Sequence, residues 1–264
     1  MAAWGKTAVA DIEAVVAGEP PLDLTPKTDP AALAERLGGT LLPTGSVRLT
    51  AAGQVSALPG FAEGDWWVQD AAAALPVKVL DPKPVERVLD LCAAPGGNTM
   101  QLASPGAEVT ALDVSEARMV RLRENLARTQ LTAEIVVADA LAWSPAAPFD
   151  AILLDAPCSA TGTLRRHPDL AYAKTGDEIA PLIELQDKLL YRSLEWLKPG
   201  GRLVFCTCSL LPEEGEARVT KLREERPDLT LTLPDADWID PRWSVPEGLR
   251  IRPDHWADHG GLDG

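Results

Sequence analysis

The stretch Asp90-Leu-Cys-Ala-Ala-Pro-Gly96-Gly97 decides the fold, because it joins an apolar run to a helical pattern through a glycine turn. The run from Arg87 to Cys92 predicts a buried parallel strand, and a helix is predicted from Thr99. Glycines let a backbone approach a ligand, and the amide groups at a helix N-terminus point towards it. The stretch therefore indicates a loop for a nucleotide-like cofactor, although glycines after a strand also occur in plain tight turns.

Further apolar runs alternate with helical patterns downstream of Val85, which is typical of a parallel sheet with right-handed crossovers. Helices are predicted at Ser115 to Arg128 and at Pro181 to Leu197, where leucines recur at helical spacing. We therefore predict an α/β fold. The six predicted strands are Arg87 to Cys92, Glu108 to Leu112, Glu134 to Ala138, Phe149 to Leu154, Arg202 to Cys206 and Leu229 to Leu233.

Residues 1–60 differ from this pattern and predict a small α+β module. A helix from Thr7 to Val16 is followed by a short helix with Asp29 as its N-cap, and then by two short strands at Leu41-Leu42 and Val47-Arg-Leu49. The apolar content of this module is low, so we expect it to dock on residues 61–264, which form the predicted second domain.

The composition restricts the partners. The 264 residues include 39 acidic and 25 basic side chains, a formal net charge of -14 that does not attract nucleic acid. A nucleic-acid substrate would need a local basic patch or a further part of the protein. No run approaches the roughly 20 apolar residues that span a bilayer, and the N-terminus lacks a signal-peptide pattern. We expect a cytoplasmic protein without a membrane partner, and a monomer.

The four cysteines lack a Cys-x-x-Cys spacing, which disfavours a zinc site built from Cys158, Cys206 and Cys208, and no metal is expected. Cys158 and Cys208 each follow an apolar run. Because ligands collect beyond the carboxyl ends of parallel strands, these two thiols are expected to face one pocket. This placement indicates nucleophilic catalysis, whereas Cys92 and Cys206 are interpreted as small buried hydrophobic residues.

Two carboxylates follow the second and third predicted strands. Asp113 lies 23 positions after Asp90, a suitable distance for binding ribose hydroxyls, and Asp139 lies where an adenine amino group would sit. Asp113 precedes Ser115, so capping of a helix is the alternative role. The G-x-G-x-x-G spacing is absent and a proline lies inside the turn, which favours S-adenosylmethionine over a cofactor with a pyrophosphate.

The chain resembles the RsmB/Nop2/Sun family of RNA 5-methylcytosine methyltransferases. The resemblance covers about residues 55 to 264 and implies a Rossmann-like class I S-adenosylmethionine-dependent methyltransferase sheet. The stretches that carry it are Gly64-Asp-Trp-Trp-Val-Gln69-Asp70, Cys92-Ala-Ala-Pro-Gly-Gly-Asn98, Asp113-Val-Ser-Glu-Ala-Arg118, Asp155-Ala-Pro-Cys-Ser-Ala-Thr-Gly162 and Thr207-Cys-Ser-Leu-Leu-Pro-Glu-Glu214.

The resemblance also implies roles for individual residues. Cys208 would add to cytosine C6, Cys158 would assist release of the product, and Asp155 would hydrogen-bond the base. Spacing alone does not divide the roles of the two thiols, since enzymes acting on DNA use the Pro-Cys cysteine as nucleophile. The implied cofactor-binding residues are Cys92, Ala93, Ala94, Pro95, Gly96, Gly97, Asn98, Asp113, Arg118, Asp139 and Asp155.

The implied substrate is RNA, with 16S rRNA favoured over tRNA. Arg165 and Arg166 are the predicted phosphate contacts, and an exposed charged turn is the alternative interpretation. The target cytosine would have to leave its stack, which favours an unpaired base. A non-catalytic RNA-binding or ribosome-assembly module that retains the fold is the competing function.

Three departures from the family pattern are visible. Asn98 stands where the family usually has lysine, which removes one charge near the cofactor. Bacterial members that modify rRNA usually have an additional N-terminal helical RNA-binding domain, and the family normally continues beyond Gly264 into an aromatic-rich last strand. We therefore expect the chain to be a fragment or a shortened reading frame.

Overall fold

The computed structural model describes residues 3–173 and 176–264, so the first two residues of the predicted 1–60 module lie outside the described residues. The chain forms two compact units, each built from separate stretches. The first unit comprises the described residues of Met1–Pro21, Pro157–Asp187 and Thr207–Gly264, and the second comprises Leu22–Ala156 and Lys188–Cys206. The division into domains 1–60 and 61–264 stays a prediction.

The helices begin and end close to the predicted positions. Within the described ranges, none of them combines the length and apolar character needed to cross a membrane. The helices are α1 Gly5–Val16, α2 Pro30–Leu37, α3 Leu75–Leu80, α4 Gly97–Ala103, α5 Glu116–Thr129, α6 Leu170–Ala173, α7 Ile179–Glu195 and α8 Glu216–Glu225. The strands are β1 Leu22–Pro26, β2 Thr40–Leu41, β3 Val47–Leu49, β4 Trp66–Val68, β5 Arg87–Leu91, β6 Glu108–Asp113, β7 Glu134–Val137, β8 Phe149–Asp155, β9 Leu197–Cys206, β10 Ser244–Val245 and β11 Gly248–Leu249.

The second unit contains a five-stranded parallel sheet in the order β7-β6-β5-β8-β9. The central strand β5 is buried on both faces, and Val88, Leu89 and Leu91 are fully buried. Such double-sided burial explains why the strands read as continuous apolar runs. The predicted α/β fold and five of the six predicted strands are confirmed. Asp113 is the last residue of β6, and Asp155 is the last residue of β8.

The sixth predicted strand is wrong. The described residues Leu229 to Leu233 form neither strand nor helix, and the side chains of Leu231 and Leu233 are exposed. The alternation of leucine and threonine there is typical of a strand, but a strand is stabilised by cross-strand pairs and burial rather than by its own pattern. This segment has no such pairing in the structure.

A four-stranded antiparallel sheet in the order β2-β3-β1-β4 also lies in the second unit. The predicted strands at Leu41-Leu42 and Val47-Arg-Leu49 are confirmed to within one residue, whereas β1 and β4 were missed because prolines flank the first and tryptophans dominate the second. Asp29 caps α2 as predicted, since its Oδ1 accepts hydrogen bonds from the amides of Ala31 and Ala32.

Candidate functional site

The loop after β5 turns sharply before α4 begins. Cys92 and Gly96 both have positive φ angles, 67° and 106°. A Cβ atom at position 96 would lie 2.9 Å from Cγ of Leu122, so the turn has no room for a side chain. Glycine at position 96 therefore serves the close packing of this loop against α5.

Asp113 fastens this loop from the end of β6. Its carboxylate accepts hydrogen bonds from the amide of Ala94 at 3.1 Å and from the amide of Ser115 at 2.8 Å. Nη1 of Arg118 lies 3.5 Å from the same carboxylate, and Arg118 also donates to the carbonyl of Ala94. The N-cap of α5 is Ser115, not Asp113. The alternative capping role of Asp113 is thus wrong, whereas its role towards ribose stays a prediction.

Asp90 is a second carboxylate under the loop, and its side chain is fully buried. The hydroxyl of Thr99 donates to Oδ2, while Oδ1 has no hydrogen-bond partner among the described residues. Burial raises the pKa of Asp90 to about 7, and the neighbouring Asp155 and Asp113 act in the same direction. A carboxyl of this kind changes its charge close to neutral pH.

Asp155 is the last residue of β8. The side-chain amides of Gln69 and Asn98 form a hydrogen-bonded chain that ends at its carboxylate, and sequence reasoning missed this chain. Nδ2 of Asn98 donates to Oδ2 of Asp155 at 3.2 Å, and Oδ1 of Asn98 accepts from Nε2 of Gln69 at 3.0 Å. The indole of Trp67 in turn donates to Oε1 of Gln69 at 2.8 Å. Asn98 is therefore oriented by two partners. The signal for Gln69 was its place in a quoted family stretch, but its contacts were not predictable.

The environment of Asp155 also changes its acidity. Burial raises the pKa of this carboxyl to about 6, although hydrogen bonds from Cys206 and Asn98 act in the opposite direction. A fraction of Asp155 is thus protonated near neutral pH. A carboxyl in this state can donate as well as accept a hydrogen bond.

Asp139 is exposed after the end of β7, and its Oδ1 accepts a hydrogen bond from the amide of Leu141 at 2.9 Å. Within the described part of the chain, no hydrogen bond joins Asp139 to the Cys92–Asn98 loop. Its predicted contact with adenine stays a prediction.

The first unit contains the two predicted reactive thiols. The Sγ atoms of Cys158 and Cys208 lie 3.5 Å apart although 50 residues separate them in the chain. Both residues are half-buried. The hydrogen bond from Cys208 lowers the pKa of Cys158, and this effect outweighs the opposing effect of burial. The two sulfur atoms thus lie within hydrogen-bond distance of each other, and either thiol can be the donor.

The other two cysteines lie in the second unit. Burial raises the pKa of Cys92, and Sγ of Cys206 lies 3.7 Å from the carbonyl oxygen of Leu154. Across residues 3–173 and 176–264, no three or more His, Cys, Asp or Glu side chains come together in a group that could hold a metal ion.

Arg165 and Arg166 both contact Asp263. The side chain of Arg165 is 1% exposed, and its Nε lies 3.1 Å from Oδ1 of Asp263. The side chain of Arg166 is 38% exposed, with Nε 2.8 Å from Oδ2 of the same carboxylate. A phosphate contact by Arg165 would require this buried pair to break, whereas Arg166 is accessible. Their role towards RNA stays a prediction.

Glu214 contacts the residues next to the two thiols, and sequence reasoning did not single it out. It is fully buried and accepts hydrogen bonds from Ser159 and Ser209, the residues that directly follow Cys158 and Cys208. The sequence showed two adjacent glutamates, and nothing in it distinguished the buried Glu214 from the exposed Glu213.

Comparison with known proteins identifies the family. Residues 77–255 match the family profile described as 16S rRNA methyltransferase RsmB/F. The chain belongs to this family. The resemblance seen in the sequence is therefore confirmed for the RsmB/F branch.

Individual relatives of the chain are consistent with its assignment to the RsmB/F family. Ribosomal RNA small subunit methyltransferase B of Vibrio cholerae is 48% identical over 186 residues, which are 69% of this chain and 43% of the relative. The enzyme of the same name from Klebsiella pneumoniae is 46% identical over 191 residues, 70% of this chain and 44% of the relative. The chain thus spans less than half the length of the curated relatives it matches.

A solved structure shows the same fold. A methyltransferase homolog protein from Pyrococcus horikoshii superposes with a TM-score of 0.80 at 30% identity, covering 98% of this chain and 89% of that protein. The predicted Rossmann-like class I methyltransferase fold is confirmed.

Proposed function

We propose that this RsmB/F family member transfers a methyl group from S-adenosylmethionine to C5 of a cytosine in RNA through a covalent adduct between Cys208 and cytosine C6. The observation that carries the proposal is the contact of two thiols at 3.5 Å, one of them with a lowered pKa. Cytosine C5 is a weak nucleophile, and addition of a thiolate at C6 turns the ring into an enamine that accepts a methyl group.

The residues of the loop fit the cofactor. The loop lies between the carboxyl end of β5 and the N-terminus of α4, and Asp113 lies at the end of β6 and Asp139 just after the end of the adjacent strand β7. When bound there, S-adenosylmethionine supplies an electrophilic methyl group. The relatives of this chain are named methyltransferases, which supports the assignment.

The thiol pair suits this chemistry. Because the two sulfur atoms lie 3.5 Å apart and the pKa of Cys158 is lowered, Cys158 in its thiolate form can take the Cys208 proton as the Cys208 sulfur bonds to C6. After methylation, Cys158, once it has lost its proton to water, takes the C5 proton. The electron pair of that C–H bond re-forms the C5–C6 double bond, and the C6–S bond breaks to release Cys208 as a thiolate.

Asp155 serves the base in this proposal. With its pKa raised to about 6, the protonated carboxyl can donate to N3 of cytosine as the thiol adds, which stabilises the charge that the addition creates. In the chain, only Ala156 and Pro157 separate Asp155 from Cys158.

Two cysteine variants test the mechanism. The protein is incubated with unmodified small-subunit RNA and S-adenosylmethionine, and adducts are counted on a denaturing gel. We expect Cys158→Ala to accumulate a stable protein–RNA adduct, because breakdown of the adduct needs the Cys158 thiol. We expect Cys208→Ala to form no adduct, because the Cys208 thiol makes the covalent bond. Glu213→Ala, at an exposed position, is the control. Normal turnover by Cys158→Ala, or an adduct with Cys208→Ala, would show that the roles are wrongly assigned.

We further propose ribosomal RNA as the substrate, since relatives at 46–48% identity are named small subunit methyltransferases. Incorporation of a tritiated methyl group into 16S rRNA but not into tRNA is the expected result. Tight RNA binding without incorporation would favour the non-catalytic RNA-binding or ribosome-assembly module instead.

A further inference from the structure

The carboxylate of Glu214 is unusual because it is fully buried and yet hydrogen-bonded to neutral groups. The amide of Ser159 donates to Oε1 at 2.9 Å, and Nε2 of Gln186 donates to Oε1 at 3.0 Å. The hydroxyls of Ser159 and Ser209 donate to Oε2, each at 2.5 Å. A buried carboxylate is costly unless several donors surround it, and these four provide that compensation.

These donors come from the two segments that carry the thiols. Ser159 directly follows Cys158, and Ser209 directly follows Cys208. A further bond reinforces the same junction, because the amide of Gly162 donates to the carbonyl of Cys208 at 2.9 Å. Glu214 therefore joins two segments that are 50 residues apart in the chain.

Gln186 extends the connection to a helix. Its Nε2 also donates to the carbonyl of Pro157 at 2.9 Å, immediately before Cys158. Gln186 is fully buried in α7. The Cys158 segment is thus held on both sides of the thiol, by the Pro157 carbonyl and by Ser159.

We propose that Glu214 is a positioning residue that fixes the Cys158 and Cys208 segments against each other and so sets the distance between their sulfur atoms. The proposal rests on the proposed function for its consequence in catalysis, since it is the covalent reaction that needs the two thiols in contact.

The charge of Glu214 is not what activates the thiol. Its negative charge raises the pKa of Cys158, against the larger effect of the Cys208 hydrogen bond. The benefit of Glu214 therefore lies in its hydrogen-bond geometry. An uncharged side chain of the same shape should replace it.

Glu214→Gln separates geometry from charge. The glutamine oxygen can accept from the Ser159 amide and from Gln186, while its amide donates to the two hydroxyls, which can rotate to accept. Glu214→Ala removes every bond. Ser209→Ala removes a single donor and covers the case in which Glu214→Ala does not fold. Glu213→Ala, at the exposed neighbouring position, is the matched control.

The rate at which diamide forms the Cys158–Cys208 disulfide reports how closely the two sulfur atoms are held together. The two thiols lose two protons and two electrons, and the diazene N=N bond of diamide takes them up to become a hydrazine. Peptide mass spectrometry quantifies the Cys158–Cys208 disulfide, and circular dichroism confirms that each variant is folded. Loss of the bonds should slow the reaction of Glu214→Ala about tenfold or more and that of Ser209→Ala by less. Glu214→Gln and Glu213→Ala should react at the wild-type rate.

The same variants are then tested in adduct formation with RNA in a single turnover. We expect Glu214→Ala to form the adduct about tenfold more slowly, with unchanged affinity for S-adenosylmethionine and with rescue by Glu214→Gln. Unchanged disulfide and adduct rates in folded Glu214→Ala, or in Ser209→Ala if Glu214→Ala does not fold, would overturn the positioning role. Equal losses in Glu214→Gln and Glu214→Ala would also overturn it. Wild-type protein that forms disulfide rapidly but never forms an adduct would instead refute the proposed function.

Discussion

Cys92 and Cys158 are both half-buried and both follow a buried parallel strand, but their acidities change in opposite directions. In the second unit, burial raises the pKa of Cys92, and the charges of Asp113 and Asp155 add to that effect. In the first unit, the hydrogen bond from Cys208 lowers the pKa of Cys158 in spite of burial. The comparison teaches that the partner of a thiol, rather than its exposure, decides whether it can react.

The largest expected effect is on the reactivity of these two thiols. At pH 8, iodoacetamide should alkylate Cys158 about 1000-fold faster than Cys92, because the thiolate is the reacting form. Quantitative peptide mass spectrometry measures both rates in one sample. Unfolding in urea should abolish the difference, which provides the control. Similar alkylation rates of Cys158 and Cys92 in the folded protein would contradict the difference in acidity between the two thiols.

Next in size is the effect of Asp90 on stability, which tests how strongly the second unit desolvates its charges. Its pKa rises from 3.8 to about 7 on folding, so the folded state holds the proton more tightly. Stability from this group is present below about pH 4 and is lost as the pH rises to about 7. We expect up to roughly 4 kcal/mol of destabilisation at pH 8 relative to pH 4 from this group, and Asp90→Asn should remove it.

Urea denaturation of wild type and Asp90→Asn at both pH values measures this slope. Asp139→Asn, at an exposed carboxylate, is the control. A pH dependence that is identical in wild type and Asp90→Asn would contradict the raised pKa.

A smaller effect is expected when a charged partner is introduced into the second unit. Asn98→Lys places an ammonium group beside Asp155, and an opposite charge at this range should lower the pKa of that carboxyl by about one unit or more from about 6. Asn98→Ala should raise it, because the hydrogen bond that lowers it is lost. Titration of ¹³C-labelled aspartate by NMR follows both changes. Shifts in the same direction would show that partners do not control Asp155.

The smallest effect concerns two adjacent arginines of the first unit, of which Arg165 is buried and Arg166 is partly exposed. If Arg166 contacts a phosphate, Arg166→Ala should make the slope of log affinity against log salt less negative by about 0.7 for a single strand. Arg165→Ala should instead lower the melting temperature, since it leaves Asp263 buried without one partner. Filter binding over a salt series measures the slope. An unchanged slope in Arg166→Ala would remove that residue from the RNA contacts.

Local sequence determined the parallel sheet and its cofactor loop. Strands buried on both faces leave a continuous apolar run, and the positive φ angle of the turn at position 96 favours glycine, so both features can be read from the local sequence. The same reasoning failed at Leu229 to Leu233, where none of the described residues pairs with this strand-like segment. It also missed β1 and β4, whose pairing joins residues 40 to 44 positions apart.

The two candidate cysteines, the strand-end aspartates and the family could be named from the sequence alone, because residue types and their order indicate the chemistry. Only the tertiary structure decided how these groups behave. It buries Glu214 and exposes Glu213, raises the pKa of Asp155, and pairs Arg165 with Asp263 across 98 residues. Burial and hydrogen-bond partners set the charge of each group, and both come from positions far apart in the chain.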